Sequence, residues 1–190
     1  MKKTTKIILI AVVIIAIIAS IVAFILINSK PKTNLAPITS ADDLSALVDK
    51  IYEGETIEMP GVMTQVIDTS DKDLVKSITG LDSADNLEYV VASEPMMSSQ
   101  AYSLVLVKVK DGANSDEIAK QMNEKIDARK WICVSAEKVY STSSADVVCL
   151  VMSRDELAKP IFEKFKTLAG NVGEEYEKAE ETAELPEDMY

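Results

Sequence analysis

The sequence predicts an α+β fold, a two-layer sandwich in which a four-stranded antiparallel sheet carries its helices on one face, preceded by one transmembrane helix. Two observations predict this fold. Residues 7–27 contain a single polar residue, Ser20. Beyond residue 39, segments with a helical apolar period and segments with a strand-like pattern follow in the order α-α-β-β-α-β-β-α. The simplest packing of that order is one antiparallel sheet with helices on one face.

The apolar segment of residues 7–28 predicts attachment to a membrane. A helix of this segment is about 30 Å long, which matches the hydrocarbon core of a bilayer. Signal peptides have a shorter apolar stretch of roughly 7–15 residues, so we expect this segment to be an anchor. More basic residues precede it than follow it: Lys2, Lys3 and Lys6 against Lys30 and Lys32. This bias favours a cytoplasmic N-terminus and an extracytoplasmic remainder.

The chain divides into five predicted intervals. The cytoplasmic N-terminus takes residues 1–6 and the anchor residues 7–28. Residues 29–39 contain two prolines and no apolar period, which predicts a linker. The extracytoplasmic α+β domain follows over residues 40–170. Residues 171–190 are strongly acidic with few apolar side chains, which predicts a disordered tail.

Four helices are predicted from apolar stripes and capping residues. They begin at Ser40, Ser70, Asn114 or Ser115, and Ser153, and they end at Gly54, at Gly80, near Trp131 and at Gly170. Capping boxes are expected between Ser40 and Asp43 and between Ser153 and Glu156. Pro160 lies past the first turn of the last helix and predicts a kink or a delayed start.

Four strands are predicted at Leu87–Ala92, Tyr102–Lys110, Glu137–Thr142 and Val147–Met152. The second and fourth are apolar on both faces at their centres, which is typical of inner strands. The first and third alternate and are predicted to be edges. These assignments give the spatial order 1-2-4-3.

Residues 71–154 also carry the pattern of a known family. The pattern consists of a helix ending in Gly80-Leu81-Asp82, a strand at Glu88-Tyr89-Val90, a polar connector before "LVLVKVKDG", a long helix with Trp131 at its end, and a final strand "ADVVCLVMS". It resembles the bacterial envelope family called domain of unknown function four-three-five-eight. The resemblance implies a secreted or membrane-anchored bacterial domain with no assigned activity. Many members are anchored through a lipid-modified cysteine, which this sequence lacks.

Composition argues against several functional classes. A net charge of −11 and only two arginines, Arg129 and Arg154, disfavour nucleic-acid binding, which needs clustered cations. The absence of histidine removes Ser-His-Asp triads, histidine bases and most zinc and iron sites. We therefore expect no catalytic residue, no resident metal and no cofactor.

The connector "ASEPMMSSQAYS" is the first candidate binding loop. It joins an edge strand to an inner strand and carries apolar side chains, as recognition loops often do. The candidate binding residues are Met96, Met97, Ser98 and Tyr102. At least one methionine is expected to cover the end of the core, and a second that pointed outward would make this loop a contact surface.

The methionines also suggest an alternative function, metal binding. Met59 and Met63 could join Met96 and Met97 in a thioether site, and soft sulfur ligands select Cu(I). Methionine is, however, an ordinary filler of irregular core gaps, which is the favoured interpretation.

The two cysteines, Cys133 and Cys149, leave two interpretations open. An extracytoplasmic location favours a disulfide between them. A tight turn near Ser144 would instead place Cys149 opposite about Val139, several residues from Cys133. That offset exceeds disulfide reach, so two buried free thiols are the favoured interpretation.

The hairpin "VYSTSSAD", residues 139–146, is the second candidate surface. It is rich in serine and threonine, and an exposed strand edge can accept an added strand. Together with the family resemblance, which implies a bacterial envelope protein, these features predict a non-catalytic binding module of the bacterial cell envelope. Its expected partner is an envelope protein or a wall-associated ligand.

Overall fold

The computed structural model describes residues 32–55, 60–97 and 99–179. The helices of this part are α1 (Ala41–Tyr52), α2 (Lys72–Thr79), α3 (Ser115–Lys125) and α4 (Asp155–Ala169). Its strands are β1 (Val62–Val66), β2 (Leu87–Pro95), β3 (Ser103–Val109), β4 (Lys138–Ser144), β5 (Val147–Ser153) and β6 (Tyr176–Ala179). None of these helices is long and apolar enough to cross a membrane. The predicted anchor at residues 7–28 lies outside the described residues.

The strands form one six-stranded sheet in the order β1-β2-β3-β5-β4-β6, and every neighbouring pair is antiparallel. The α+β class therefore agrees with the prediction, and the four predicted strands keep their order as β2-β3-β5-β4. The predicted four-stranded sheet is wrong, because each edge carries one further strand. β1 and β6 are only five and four residues long and show no clear apolar alternation.

Helices lie on both faces of the sheet, so the predicted two-layer packing with helices on one face is also wrong. On one face α1 and α4 pack through Leu44, Val48, Ile161 and Phe165. On the other face α2 and α3 pack through Val75, Ile78, Ile118 and Met122. The physical reason lies in the central strands, since all seven residues of β3 and all seven of β5 are buried. Because side chains on both faces of these strands are buried, helices must pack against both faces of the sheet.

β4 lies inside the sheet, and its polar side chains are buried. The hydroxyl groups of Ser141, Thr142, Ser143 and Ser144, here called the hydroxyl row, are fully enclosed. They donate to Ala119 O at 2.8 Å, Glu174 O at 3.0 Å, Asp116 Oδ1 at 2.6 Å and Asn171 O at 2.6 Å, respectively. The polar hairpin that was expected to offer an open edge is therefore already covered by the chain's own segments.

Residues near both ends of the described part belong to the domain. β6 pairs with β4, and Asn123 Nδ2 donates to the carbonyl oxygens of Val139 and Tyr176 at 3.1 and 3.2 Å. Asn34 N donates to Ala169 O at 2.8 Å. The predicted disordered tail is thus wrong for β6, and part of the predicted linker packs on the domain. The sequence did not indicate this because the few apolar side chains of the predicted tail and linker are too widely spaced to form a recognisable period.

The two expected capping boxes have opposite outcomes. The box between Ser40 and Asp43 is confirmed, with the side chain of each residue bonded to the backbone of the other. The box at Ser153 is wrong, because Ser153 ends β5 and its hydroxyl donates to Ala101 O at 2.7 Å. α4 begins one residue after Arg154 and continues through Pro160.

We expect β6 to contribute measurably to stability. A chain that ends at Glu175 loses the β6 ladder, and each lost backbone hydrogen bond removes roughly 0.5–1.5 kcal/mol. Compared with a chain that ends at Ala179, its free energy of unfolding should fall by about 2 kcal/mol or more. Urea unfolding followed by circular dichroism measures this difference. Equal urea midpoints for the two chains would contradict the role of β6.

Candidate functional site

One end of the sheet gathers the connections that carry the predicted binding residues. Val62 pairs with Pro95 and Ser103 pairs with Met152, so β1 and β3 begin at the end where β2 and β5 finish. We call this the loop end. The connections that meet there are residues 60–61, 96–97 with 99–102, 126–137 and 154. At the opposite end, Ser144 Oγ lies 2.8 Å from Thr33 Oγ1.

A cleft of 580 Å³ opens at the loop end. Its wall combines apolar side chains with polar and charged ones from all of these connections. Its lining includes Ala101, Val134, Leu157, Gln100, Ser135, Glu137 and Arg154. A concave, largely preformed surface with a few placed polar groups is the usual form of a ligand site.

Tyr102, a predicted binding residue, is among the residues that line this cleft. Its side chain is fully buried, and its hydroxyl lies 3.0 Å from the Tyr52 hydroxyl. Burial disfavours the charged phenolate and raises the pKa of Tyr102 well above its ordinary value. Tyr102 therefore supports the floor of the cleft, tying β3 to α1.

The first turn of α4 forms the charged side of the cleft. Arg154 is the N-cap residue of this helix and makes no side-chain capping hydrogen bond, and Glu137 Oε2 accepts from Asp155 N at 3.4 Å. Glu137 N in turn donates to Ser153 O at 3.0 Å, which fixes its position beside β5. Arg154 Nη1 lies 4.0 Å from the Glu156 carboxylate, which is too far for a hydrogen bond, and both side chains are largely exposed.

The methionines of the connector point into solvent. Met96 is 74% exposed and Met97 is 64% exposed, so the expectation that one of them covers the core is wrong. Ile132 at 69% and Met63 at 52% are exposed at the same end of the sheet. We call Met63, Met96, Met97 and Ile132 the methionine surface. Ser98 and Met59 lie outside the described residues.

A nearly buried ion pair holds this surface together. Lys130 Nζ lies 2.5 Å from Glu94 Oε1, and Ser103 Oγ donates to the same oxygen at 2.6 Å. Glu94 is the ladder partner of Met63, and Lys130 lies two residues before Ile132. Burial lowers the pKa of Lys130, and the Glu94 carboxylate opposes that shift. Sequence reasoning missed this pair because its members lie 36 residues apart in no recognisable motif.

The two cysteines are both free, so the disulfide alternative is not realised. Cys149 is fully buried in β5 opposite Thr142, and burial raises the pKa of its thiol. The expected position opposite Val139 is wrong because the hairpin turns at residues 145–146. Cys133 is exposed rather than buried. Within the described part of the chain, no group of three or more acidic or cysteine side chains is placed to hold a metal ion.

Comparison with known proteins found no relative: no family model matches the chain, and neither a curated protein nor a solved structure matches it. The resemblance to the bacterial envelope family stays a prediction. The candidate site is accordingly defined by its own geometry, namely the cleft and the adjoining methionine surface.

We expect Lys130→Met to destabilise the domain by about 3 kcal/mol, because it leaves the Glu94 carboxylate nearly buried without a cation. Adding Glu94→Gln should recover most of that loss, since the remaining groups are neutral. Urea unfolding of the single and double variants measures the coupling. Lys76→Met, which breaks the exposed pair with Asp82, is the matched control and should have little effect. A double variant no more stable than Lys130→Met would contradict this account.

Proposed function

We propose that the chain is a non-catalytic binding module of the bacterial cell envelope whose loop end binds a segment of another envelope protein. The observation that carries the proposal is the methionine surface beside the cleft. Met96 and Met97 belong to the same connection whose later residues line the cleft, so one ligand can contact both. Clustered exposed apolar side chains at the rim of a cavity mark an interaction site.

The lining of the cleft favours a peptide as the ligand. Leu157 and Val134 provide apolar contact, whereas Arg154 and Glu137 provide one charge of each sign. A peptide offers apolar side chains together with backbone donors and acceptors, and it can satisfy both kinds of contact. Methionine side chains are flexible and polarizable, which suits them to irregular peptide surfaces.

Attachment to the membrane through residues 7–28, with the domain outside the cytoplasm, completes the proposal. The sequence supports this part, through the length of the apolar segment and the lysines before it. Thr33, near the start of the described part, contacts Ser144 at the end of the sheet opposite the cleft. The chain therefore enters the domain far from the proposed site.

The proposal is tested by placing a photo-crosslinking amino acid in the full-length chain in its native cells. At Met97 it should give a discrete protein adduct upon irradiation. At Thr167, an exposed position on α4, it should give none and serves as the matched control. Arg154→Glu combined with the Met97 probe should reduce the adduct several-fold, because it reverses the charge in the cleft. Equal adducts at both positions, or none at Met97, would contradict the proposal.

The alternative, a Cu(I) site built from thioethers, is supported by one observation. Met96 N donates to Gly61 O at 3.3 Å, which places Met96 diagonally across from Met63 on the neighbouring strand. Diagonal neighbours are within reach of long side chains. Titration with Cu(I) against a competing chelator distinguishes the two functions. Unchanged affinity in Met96→Ile/Met97→Ile would exclude a role for that pair in copper binding.

A further inference from the structure

The two outer strands of the sheet differ in their protection against pairing. No described strand pairs with the outer edge of β1 or of β6. β6 carries Glu177 and Lys178, and charged side chains on an edge strand discourage the addition of another strand. Residues 60–67, which include β1, carry no charged side chain. The edge of β1 therefore lacks this protection.

The register between β1 and β2 shows which backbone groups face that edge. Ile67 N donates to Val90 O at 2.9 Å, so these two residues form a hydrogen-bonded pair. In an antiparallel ladder such pairs alternate with pairs that exchange no hydrogen bond. The odd-numbered residues of β1 are thus bonded to β2. The N–H and C=O groups of Val62, Thr64 and Val66 point outward.

We propose that a second copy of this chain pairs with this edge, antiparallel to it, about a two-fold axis at Thr64. In that register Thr64 faces Thr64 of the second copy, and Val62 faces Val66 of the second copy. All three outward-facing residues then form hydrogen-bonded pairs, each of which exchanges two N–H···O bonds. Val66, which is 55% exposed, gains an apolar partner. The two sheets become one continuous sheet.

Two properties of the strand favour a second copy as the occupant. The strand "VMTQV" has a valine two residues before Thr64 and another two residues after it. When two copies pair antiparallel about Thr64, each of these valines faces a valine of the other copy, as a two-fold interface requires. The distribution of charge permits this pairing. Two copies of a chain with a net charge of −11 repel each other, and the uncharged residues 60–67 let them meet without opposing like charges.

The proposal goes beyond the proposed function, because it concerns the edge of β1 and not the cleft. It is tested with Thr64→Cys in the full-length chain carrying Cys133→Ser, in detergent, with Cys149 left in the core. Across a hydrogen-bonded antiparallel pair the two Cα atoms are about 5.5 Å apart, inside disulfide range. Val66→Cys lies on the same strand and face, but its counterpart is displaced by roughly 13 Å along the strand.

With diamide as the oxidant, which takes up the two electrons and two protons of the thiols, Thr64→Cys should form covalent dimers about 10-fold faster than Val66→Cys. The Cys133→Ser parent should sediment as a dimer, and Val66→Lys should sediment as a monomer because its ammonium groups would face apolar side chains. Equal cross-linking rates, a monomeric parent, or a Val66→Lys chain that stays dimeric would each overturn the proposal. The sedimentation arm does not depend on any substitution at Thr64.

Discussion

The hydroxyl row of β4 is the constraint on which the rest of the fold depends. Ser141, Thr142, Ser143 and Ser144 carry their hydroxyl groups into the interior, where an unbonded hydroxyl costs a few kcal/mol. Each donates instead to a carbonyl or carboxylate oxygen of α3 or of the segment between α4 and β6. The sheet is therefore complete only when that segment has docked. This explains why the domain extends to β6.

Coverage of β4 also removes the edge of the hairpin as a candidate binding surface. The composition of the hairpin predicted an open strand edge, but β6 and the segment before it cover that edge. The three most exposed large apolar side chains of the described residues, Met96, Met97 and Ile132, lie at the loop end, where the Glu94–Lys130 pair joins β2 to the connection that carries Ile132. If the loop end binds a ligand as proposed, a surface held by this ion pair is organised before the ligand arrives, which reduces the entropy lost on binding.

Features of this structure that depend on residues close together in the sequence could be predicted. The Ser40 capping box, the four longer strands and their order follow from local pattern. Burial of the hydroxyl row could not be predicted, because a serine that donates to a distant carbonyl looks the same in sequence as a solvated serine. β1 and β6 were missed for a similar reason, since a short strand with few apolar side chains is specified by the strand beside it. Of the predicted site residues, Met96 and Met97 are exposed and Tyr102 is buried, and no pattern in the sequence signalled the Glu94–Lys130 pair.

The most direct measurement of the central claim is the stability of Thr142→Val in the full-length chain. Valine has nearly the shape of threonine and favours strands, so on an exposed edge the substitution would be neutral or stabilising. If the hydroxyl row holds the segment before β6, the substitution leaves the Glu174 carbonyl without its donor and lowers the free energy of unfolding by about 1–3 kcal/mol. Urea unfolding measures that difference. A Thr142→Val chain as stable as the parent, or more stable, would contradict the account.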